Sequence, residues 1–502
     1  MRTLLLYFTA SLSLVLHGAT YHVSMAGSNG NNGLTIASAW ATIQHAADVI
    51  APGDTVLVQD GDYTGFNYQN GYATMGDPTV FAATSFNTNI TAPCTYNNLD
   101  GINVENVAWV VVDGFNVAGM PRTGVRTALS DHVTIRNNKC INNGVWGILT
   151  GFAEHCVIEY NDCSASEDEH GIYFGNSADD PIIRYNECVG NNANGIHMNG
   201  DASLGGDGVI SNAQVYGNAI FYNGVAGGSG INCDGVVNSV IYNNLLINNH
   251  ASGISLYQID GGAPSTGNKV YNNTILNATD ARWCVNITDL CTNNEVLNNI
   301  LINQHPWRGS IVIAADALPG FISDHNIVVN SLSPDGDATI YDLAGWQALG
   351  YDANSLVAAP LATLFMDPVL DDYRALDASS QQVDAGTSAV SAVVTVDLLL
   401  EPRPLGLAYD LGCYESDFTT GLASIATESV IPTITIMGNQ ILINGCQPGN
   451  TLTILDPTGR VINQWAVVGA SSIPVTNTGP MIAVVNDAQG VPLASLKFGL
   501  LP

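Results

Sequence analysis

One short stretch, residues 195–201, combines residue types that could do chemistry. It reads Gly-Ile-His-Met-Asn-Gly-Asp. Side chains alternate between the two faces of an extended strand, so Ile196 and Met198 would point inward while His197 and Asn199 would point outward. An imidazole with amide and carboxylate neighbours can act as a general acid or base. The stretch therefore predicts a polar surface with a candidate catalytic histidine.

Strands that begin with the same Gly-Ile pair, or a close variant, recur on both sides of this stretch. Aligning them predicts two columns of outward-facing side chains, whose polar and aromatic members are concentrated in the middle repeats. Such a surface suits a sugar chain, which binds through hydrogen bonds and by stacking on tyrosine; a polar sheet face without a ligand is the alternative. The first column is Leu149, Tyr173, His197, Asn232, Ser255, Asn286 and Val312, and the second is Gly151, Gly175, Asn199, Asp234, Tyr257, Thr288 and Ala314.

Two reactions fit these residues, and the first is β-elimination. A base removes the C5 proton of a uronate while a cation neutralises the uronate carboxylate. His197 or Tyr257 is the candidate base. The cation is the side chain of Arg282 or Arg308, or a Ca²⁺ ion, which prefers oxygen ligands. The carboxylates expected to hold the Ca²⁺ are Asp201, Asp207 and Asp234.

Glycoside hydrolysis is the second reaction. It uses two carboxylates on either side of the glycosidic bond, and their separation decides between inversion and retention. Asp201 and Asp234 are the candidate pair. His170 and His250 lie just before Gly-Ile strands and are expected to be turn residues. The predicted catalytic residues are thus His197, Asp201, Asp234 and Tyr257, and the predicted substrate-binding residues are Tyr173, Asn199, Asn232, Asn286, Arg282 and Arg308.

The elements that must position these side chains repeat along the chain. Two or three apolar residues, an asparagine, a short turn and a Gly-Ile strand recur at intervals of 23 to 32 residues. A repeat of this kind with strand-like alternation predicts a β-solenoid, and hence an all-β fold. The repeat asparagines are expected to form a buried ladder in which each amide bonds its neighbours above and below. They are Asn138, Asn161, Asn186, Asn218, Asn244, Asn273, Asn299 and Asn326.

The composition limits the partners of the protein. Its 502 residues carry 13 Lys and Arg against 44 Asp and Glu, which gives a formal net charge of −31. No basic patch exists to displace counterions, so nucleic acid is not an expected partner. An acidic surface also repels polyuronates unless a cation or an arginine cluster intervenes.

The first residues have the pattern of a secretory signal. Residues 1–19 hold Arg2, an apolar run over residues 4–16, and the small residues Gly18 and Ala19. The apolar run is too short to span a membrane, and no other stretch of about 18 apolar residues exists, so no membrane span is expected. A secreted or cell-surface location is predicted.

The ten cysteines are expected to lie mostly in the core. Cys140, Cys163 and Cys188 each follow a repeat asparagine by two residues, which predicts a stacked interior column where cysteine acts as a small apolar residue. Cys284 and Cys291 are the pair best placed for a disulfide.

A short helix is predicted over residues 37–50, where apolar residues recur at helical spacing. It would cover the open apolar end of the solenoid. The motifs around it are Tyr21-His22-Val23-Ser24, Trp40-Ala41-Thr42-Ile43-Gln44, Pro52-Gly53-Asp54-Thr55-Val56 and Gly61-Asp62-Tyr63. Together they resemble the N-terminal cap of pectate-lyase-like right-handed β-helix proteins, a resemblance that covers about residues 20–416. It implies a right-handed parallel β-helix, a fold that hosts lyases, hydrolases, epimerases and inert surface proteins.

The C-terminal residues alternate like a small antiparallel β-sandwich. Within them, Leu455-Asp456-Pro457-Thr458-Gly459-Arg460-Val461-Ile462 and Leu496-Lys497-Phe498 resemble the C-terminal sorting domain of the type IX secretion system. This resemblance implies the secretion machinery as a partner, and an ordinary accessory sandwich is the alternative.

These segments predict the domain boundaries of the chain. The predicted division comprises a signal peptide at 1–19, the β-helix with its N-terminal cap at 20–330, a C-terminal cap at 331–416, a linker at 417–430 and the sandwich at 431–502. We expect an exported carbohydrate-active protein that cleaves a polysaccharide, as a lyase or a glycoside hydrolase. The alternative is a non-catalytic glycan-binding or adhesive cell-surface protein.

Overall fold

The fold is taken from a computed structural model. It describes residues 18–418 and, beyond them, residues 432–437, 440–446, 449–456, 461–474, 479–487 and 492–500. The predicted signal segment at 1–19 therefore lies outside the described residues except for its last two, and so does most of the predicted linker at 417–430. The chain divides into two compact units, Met1–Thr420 and Gly421–Pro502.

The first unit is a parallel β-solenoid in which most coils add one strand to each of three stacks. The strand Thr123–Arg136 is long enough to join the first two stacks into one sheet. The first, called the site stack below, contains Phe66–Gln69, Ile102–Glu105, the start of Thr123–Arg136, Trp146–Glu154, Ile172–Gly175, Ile196–Asn199, Ser229–Asp234, Ser252–Tyr257, Val285–Ile287, Ile311–Ile313 and Leu332–Ser333.

The second and third stacks complete each coil. The second contains Thr20–Val23, Thr55–Val58, Thr79–Ala83, Ala108–Asp113, the end of Thr123–Arg136, Val157–Glu159, Ile182–Arg184, Gln214–Tyr216, Val240–Tyr242, Lys269–Tyr271, Glu295–Leu297 and Ile322–Asp324. The third contains Gly61–Thr64, Thr88–Ala92, Asn116–Ala118, Lys139–Ile141, Glu187–Val189, Ala219–Phe221, Leu245–Ile247, Thr274–Asn277, Ile300–Asn303, Ile327–Val328 and Leu356–Val357. A short pair, Ile210–Ser211 and Val236–Val237, lies apart from them.

The register of the site stack confirms the predicted columns. His197 pairs with Tyr173 in one neighbouring coil and with Asn232 in the other. In the second column, Asp234 pairs with Asn199 and with Tyr257. The alternate positions are fully buried along the solenoid axis, and each such isoleucine or leucine contributes about 1.5–3 kcal/mol of hydrophobic stabilisation.

The predicted asparagine ladder is also confirmed. The side-chain amide of each asparagine forms hydrogen bonds with the coils above and below. For example, Asn186 Nδ2 donates to Asn218 Oδ1 at 3.0 Å and to the Ile158 carbonyl at 2.9 Å. The ladder lies at the corner between the second and third stacks. There the side-chain amides form hydrogen bonds with backbone groups that have no partner in a neighbouring strand. A second ladder that the sequence reasoning missed follows the third stack and contains Asn143, Asn191, Asn223 and Asn249.

In the described ranges, three short α-helices and three 3₁₀ helices interrupt the strands. The N-terminal α-helix Ile43–Val49 is shorter than predicted, because Trp40 bridges to Val23 and Thr42 caps the helix by accepting from the His45 amide. The other helices are Leu343–Ala348 and Leu361–Leu364, and the 3₁₀ helices are Ile36–Ser38, Ala202–Leu204 and Ser388–Val390.

The segment after the last regular coil folds back over the second and third stacks. It contains the antiparallel pair Phe365–Asp367 and Asp372–Ala375. Val390, Val394 and Tyr409 pack against side chains of the second stack and form a separate apolar cluster there. The segment thus shields part of the outer surface of the solenoid.

The second unit is built from two small antiparallel sheets around its own apolar core. The three-stranded sheet contains Thr433–Met437, Gln440–Cys446 and Gly469–Pro474. The four-stranded sheet contains Val461–Ala466, Thr451–Leu455, Gly479–Asn486 and Pro492–Leu500.

All ten cysteines are buried, unpaired thiols. The expectation of a disulfide between Cys284 and Cys291 was therefore wrong: Cys284 faces the core, and the Cys291 sulfur accepts a hydrogen bond from the Ser265 amide at 3.1 Å. Among the residues that the structure describes, no helix is long and apolar enough to cross a membrane.

Candidate functional site

A groove of about 510 Å³ lies on the outer face of the site stack. It extends from the coil of Asn232 to the coil of Val312. Five residues predicted from the sequence line it: Asn232, Tyr257, Arg282, Asn286 and Arg308. The parallel register places them on one face because each comes from the same side of an adjacent coil.

A chain of three hydrogen-bonding side chains leads to the end of this groove. His170 Nε2 lies 3.0 Å from His197 Nδ1, and His197 Nε2 lies 3.3 Å from the Tyr257 hydroxyl. The Tyr257 hydroxyl also accepts a hydrogen bond from Asn232 Nδ2 at 2.9 Å. Ser229 donates to Asn232 Oδ1 at 3.1 Å, which turns the Asn232 amino group toward the phenol.

The backbone fixes the direction of every proton in this chain. The Asn194 N–H can only donate, and it lies 3.2 Å from His170 Nδ1. The neutral His170 must then carry its proton on Nε2 and donate it to His197 Nδ1. His197 in turn carries its proton on Nε2 and donates it to Tyr257. Because Tyr257 already accepts from Asn232 and His197, its own proton is directed to a third partner.

Burial keeps both imidazoles neutral. Desolvation, with a smaller contribution from His197, lowers the pKa of His170 to about 2. Desolvation likewise lowers the pKa of the half-buried His197 to about 3. Glu169 is the closest carboxylate, with Oε2 at 3.4 Å from His170 Nε2 and a hydrogen bond from Trp146 Nε1 at 2.8 Å. The two histidines therefore act as neutral hydrogen-bonding groups at all but strongly acidic pH.

The phenol of Tyr257 titrates above the ordinary range of tyrosine. Desolvation is the largest cause of its raised pKa, and the negative charge of Asp234 adds to it. The hydrogen bond from Asn232 acts in the opposite direction, because an N–H donor stabilises the phenolate. Tyr257 is thus a proton donor in the resting site, with two N–H groups placed to stabilise its anion.

Arg282 and Arg308 lie in the groove without a carboxylate partner. In the described part of the chain, neither guanidinium has a carboxylate oxygen within 4.0 Å. All six other described arginines form ion pairs with carboxylates: Arg122, Arg126, Arg136, Arg184, Arg374 and Arg403. In a chain of net charge −31, two unpaired guanidinium groups facing one groove favour an anionic ligand.

A second cavity of about 320 Å³ adjoins the first and shares these arginines. His250 and Asp280 also line it, with His250 Nδ1 within hydrogen-bonding distance, 2.9 Å, of Asp280 Oδ1. The Arg308 guanidinium lies over the Trp307 ring, 4.6 Å from its centre, which holds the arginine in place. The two arginines therefore line both cavities, and a ligand in either one could contact them.

Aromatic side chains extend the polar face beyond the groove. The rings of Trp146 and Tyr173 stack at 5.5 Å with an angle of 14° between their planes. The Tyr173 hydroxyl accepts a hydrogen bond from Asn199 Nδ2 at 2.9 Å. Two buried polar atoms here have no hydrogen-bond partner, Asn199 Oδ1 and Trp283 Nε1 of the groove wall. Such atoms cost about 1–3 kcal/mol each and mark places where a bound ligand could supply the missing bond.

The structure corrects the role expected for Asp234. Its side chain is 1% exposed, and both carboxylate oxygens accept backbone N–H bonds at 2.8–3.0 Å. The donors are Ile259, Asp260 and Gly261. Asp234 thus holds the loop that follows Tyr257 and has no oxygen directed at the groove, which removes it as a hydrolytic acid or base.

Asp201 and Asp207 are likewise used by their own loop. Asp201 caps the 3₁₀ helix Ala202–Leu204 by accepting from the Ser203 amide at 2.8 Å. Asp207 accepts from the Val209 amide at 3.0 Å. The two residues and Asp234 do not form a ligand cluster, so the expected Ca²⁺ site on these carboxylates is corrected too.

One group of three ionisable side chains in the described residues does converge closely enough to hold a metal ion. It is Asp131, His132 and His155, whose ligand atoms all lie within 4.8 Å of one another. It lies outside the groove. The carboxylates that do line the groove are the exposed Asp289 and Asp337.

Sequence reasoning missed a third outward column in the site stack. Its members lie three residues before the first-column positions, directly before the glycine of each Gly-Ile strand or its equivalent. Strict alternation would turn this position inward, so the alignment of the strands did not predict the column. His170, expected as a turn residue, belongs to it. The column is Trp146, His170, Asn194, Ser229, Ser252 and Trp283.

The parallel coils and a match to a family model together identify the family of the chain. The family model for the right-handed β-helix region matches residues 29–200 and 146–331. The chain therefore belongs to the right-handed β-helix family. No curated protein matches the sequence.

Several solved structures are similar to this chain at low sequence identity. The pectate lyase Pel9A is 16% identical with a TM-score of 0.55, and the match covers 79% of this chain and 96% of that one. A Paenibacillus alginate lyase is 17% identical with a TM-score of 0.45, covering 58% of this chain and 97% of that one. A rhamnogalacturonan lyase is 14% identical with a TM-score of 0.45, covering 70% and 91%. At 16% identity, the similarity to the pectate lyase shows the fold alone.

Proposed function

We propose that the protein is an exported polysaccharide lyase that cleaves a uronate-containing chain by β-elimination. The observation that carries this proposal is the position of Tyr257, which ends the His170–His197 chain in the same groove that holds the unpaired Arg282 and Arg308. This set supplies a proton-transfer group and a carboxylate-binding group, which are the two requirements of the reaction.

The elimination divides between these residues. Arg282 and Arg308 neutralise the uronate carboxylate, which makes the C5 proton more acidic. Tyr257, as a phenolate stabilised by the N–H groups of Asn232 and His197, accepts the C5 proton. The electron pair of the C5–H bond forms the C4–C5 double bond while the bond from C4 to the glycosidic oxygen breaks. Tyr257 then gives the same proton to the leaving oxygen and returns to the phenolate.

Hydrolysis is the less favoured reaction, because both oxygens of Asp234 accept backbone amides, while Asp201 caps its own loop and does not line the groove. The carboxylates that remain in the groove are Asp289 and Asp337, at the end away from His197. The pectate lyase that shares the fold is a polysaccharide lyase by name. The proposal for this chain rests on its own groove.

A panel of neutral and acidic polysaccharides, with and without a calcium chelator, tests the proposal. Each mixture is examined for ultraviolet absorbance of unsaturated products and for new reducing ends. We expect absorbance and reducing ends to increase together on a uronate polymer. Reducing ends without absorbance would indicate hydrolysis and move the chemistry to Asp289 and Asp337. Binding to a polymer without either product would indicate the non-catalytic glycan-binding protein.

We further propose that the C-terminal unit is a sorting domain for secretion. Its seven described strands in two antiparallel sheets are compatible with that role. The test is secretion by a bacterium with a type IX system, using the full chain and a chain that ends at residue 420. Retention of the shortened chain inside the cell supports the proposal, and equal secretion of both would indicate an accessory sandwich.

A further inference from the structure

A second cluster of ionisable side chains lies at the turn between the site stack and the second stack. It consists of Asp131, His132 and His155. Asp131 Oδ1 lies 2.7 Å from His132 Nδ1 and 2.8 Å from His155 Nδ1. None of the three lines the groove described above.

The coil repeat builds this cluster by stacking one turn position. Trp109, His132, His155 and Asp180 occupy that position in successive coils, all with left-handed backbone φ angles of 49° to 56°. Parallel coils place equivalent residues about 4.8 Å apart. The Trp109 and His132 rings therefore stack at 3.8 Å, and the His132 and His155 rings at 4.4 Å.

The residue directly before this turn position is a carboxylate in three successive coils, and these carboxylates make different hydrogen bonds. Asp131 aligns with Glu154, which is followed by Asp179. Glu154 accepts the Asp179 amide at 2.6 Å, and Asp179 accepts the Ser211 amide at 2.9 Å. Asp131 differs from them, because its Oδ1 lies against the two imidazole nitrogens.

The hydrogen bonding of this cluster is incomplete. His132 Nδ1 is shielded from solvent and has no hydrogen-bond partner, although Asp131 Oδ1 lies 2.7 Å away. On the far side of the second ring, Asp180 Oδ2 lies 3.8 Å from His155 Nε2. A carboxylate partner on the outer nitrogen of a histidine is the usual support for a metal-binding imidazole. A cation at the inner nitrogens would satisfy the unpaired Nδ1.

We propose that Asp131, His132 and His155 bind a divalent transition-metal ion, with Zn²⁺ as the preferred ion. The site offers two imidazole nitrogens and one carboxylate oxygen as ligands. Such a borderline-soft ligand set suits Zn²⁺, whereas Ca²⁺ and Mg²⁺ prefer ligands that are all oxygen. Zn–N distances of about 2.0–2.1 Å require the stacked rings to tilt toward each other. The side chain of His155 is 47% exposed and has room for that movement. Solvent completes the coordination, and the ion links two successive coils.

Isothermal titration of the metal-stripped full chain with Zn²⁺ tests this site. We expect one tightly bound ion per chain. His155→Gln and Asp131→Asn should weaken Zn²⁺ binding by about 100-fold or more, since loss of an outer-sphere partner alone costs 10–100-fold. His45→Gln, which removes an imidazole within the N-terminal helix, should bind like the unaltered chain.

Two further measurements make the outcome decisive. The thermal midpoint of unfolding should rise with Zn²⁺ in the unaltered chain and in His45→Gln but stay constant in His155→Gln, because a ligand stabilises only the state that binds it. Co²⁺ should give the visible absorption of a low-coordinate site, lost in Asp131→Asn. Absence of Zn²⁺ binding to the unaltered chain, or equal binding to His155→Gln, would overturn the proposal.

Discussion

His170 and His197 share a hydrogen bond of 3.0 Å between Nε2 and Nδ1, although they lie in successive coils 27 residues apart. The Asn194 amide fixes the proton on the far nitrogen of each ring, so both histidines direct a proton toward Tyr257. In the proposed reaction, Tyr257 is the group that meets the substrate, and the two histidines support it.

Replacing Tyr257 by phenylalanine removes the hydroxyl and leaves the ring. We expect kcat on a uronate polymer to fall by about 10²–10⁴-fold, the usual contribution of a positioned acid or base. KM should change little, because the arginines that hold the substrate remain. Tyr96→Phe, at an exposed tyrosine outside the groove, serves as the control and should keep full activity. A Tyr257→Phe variant with unchanged kcat would exclude Tyr257 as the proton-transfer group.

The role of His170 is tested by two substitutions of different hydrogen-bonding capacity. In His170→Phe the donor to His197 is lost, so His197 can move its proton to Nδ1 and stop donating to Tyr257. We expect kcat to fall about tenfold, equivalent to about 1.4 kcal/mol of transition-state stabilisation. His170→Gln keeps an N–H donor and should recover most of that loss. Equal kcat values in two folded variants would indicate that His170 only fills space.

The pH dependence of kcat should show a tyrosine and no histidine. The reaction needs the phenolate of Tyr257, whose pKa lies above the ordinary value of 10.0, so the rate should increase with pH through the alkaline range. His170 and His197 have pKa values of about 2 and about 3, so neither titrates between pH 5 and pH 8. A rate profile with a break near pH 6.5 in the unaltered protein would contradict this assignment.

Arg282→Ala and Arg308→Ala test recognition of the uronate carboxylate. Each charged hydrogen bond contributes about 1.5–3 kcal/mol, so KM should rise by about tenfold or more in each variant. The effect should shrink at high ionic strength, because salt screens exposed charges. Arg374→Ala is the matched control, since that arginine is bound by Asp372 and lies outside the groove. An unchanged KM in both groove variants would remove the arginines from substrate binding.

The asparagine ladder should control the stability of the solenoid. Asn218→Ala leaves the Asn186 amide and the Ile183 carbonyl without partners in the core. Each unsatisfied buried group costs about 1–3 kcal/mol, so the free energy of unfolding should fall by about 2–4 kcal/mol. Chemical denaturation and hydrogen exchange at Asn186 measure this. Asn192→Ala, at a half-buried asparagine whose side chain makes one exposed hydrogen bond to the Asp168 carbonyl, should change the free energy of unfolding by less than about 0.5 kcal/mol.

The repeat in the sequence was sufficient to predict the columns of the site stack and the asparagine ladder. Each coil stacks on the next with little freedom to slip, because a shift of one residue would turn every apolar side chain outward. The positions of His197, Asn232 and Tyr257 on one face followed directly from that constraint. The third outward column did not follow from the alternation, because it lies three residues before the first column. His170 was missed because it was taken for a turn residue.

The tertiary structure alone decided which polar side chains are available for chemistry. Asp234 faces the same side as Tyr257 in the sequence pattern, yet the loop of residues 259–261 surrounds its carboxylate with backbone N–H groups. Loops between coils differ in length and are not bound by the strand period, so the alternation could not predict where they fold. The sequence by itself therefore determined the faces of the strands. The loops determined that Tyr257, and not Asp234, presents its polar group to the groove.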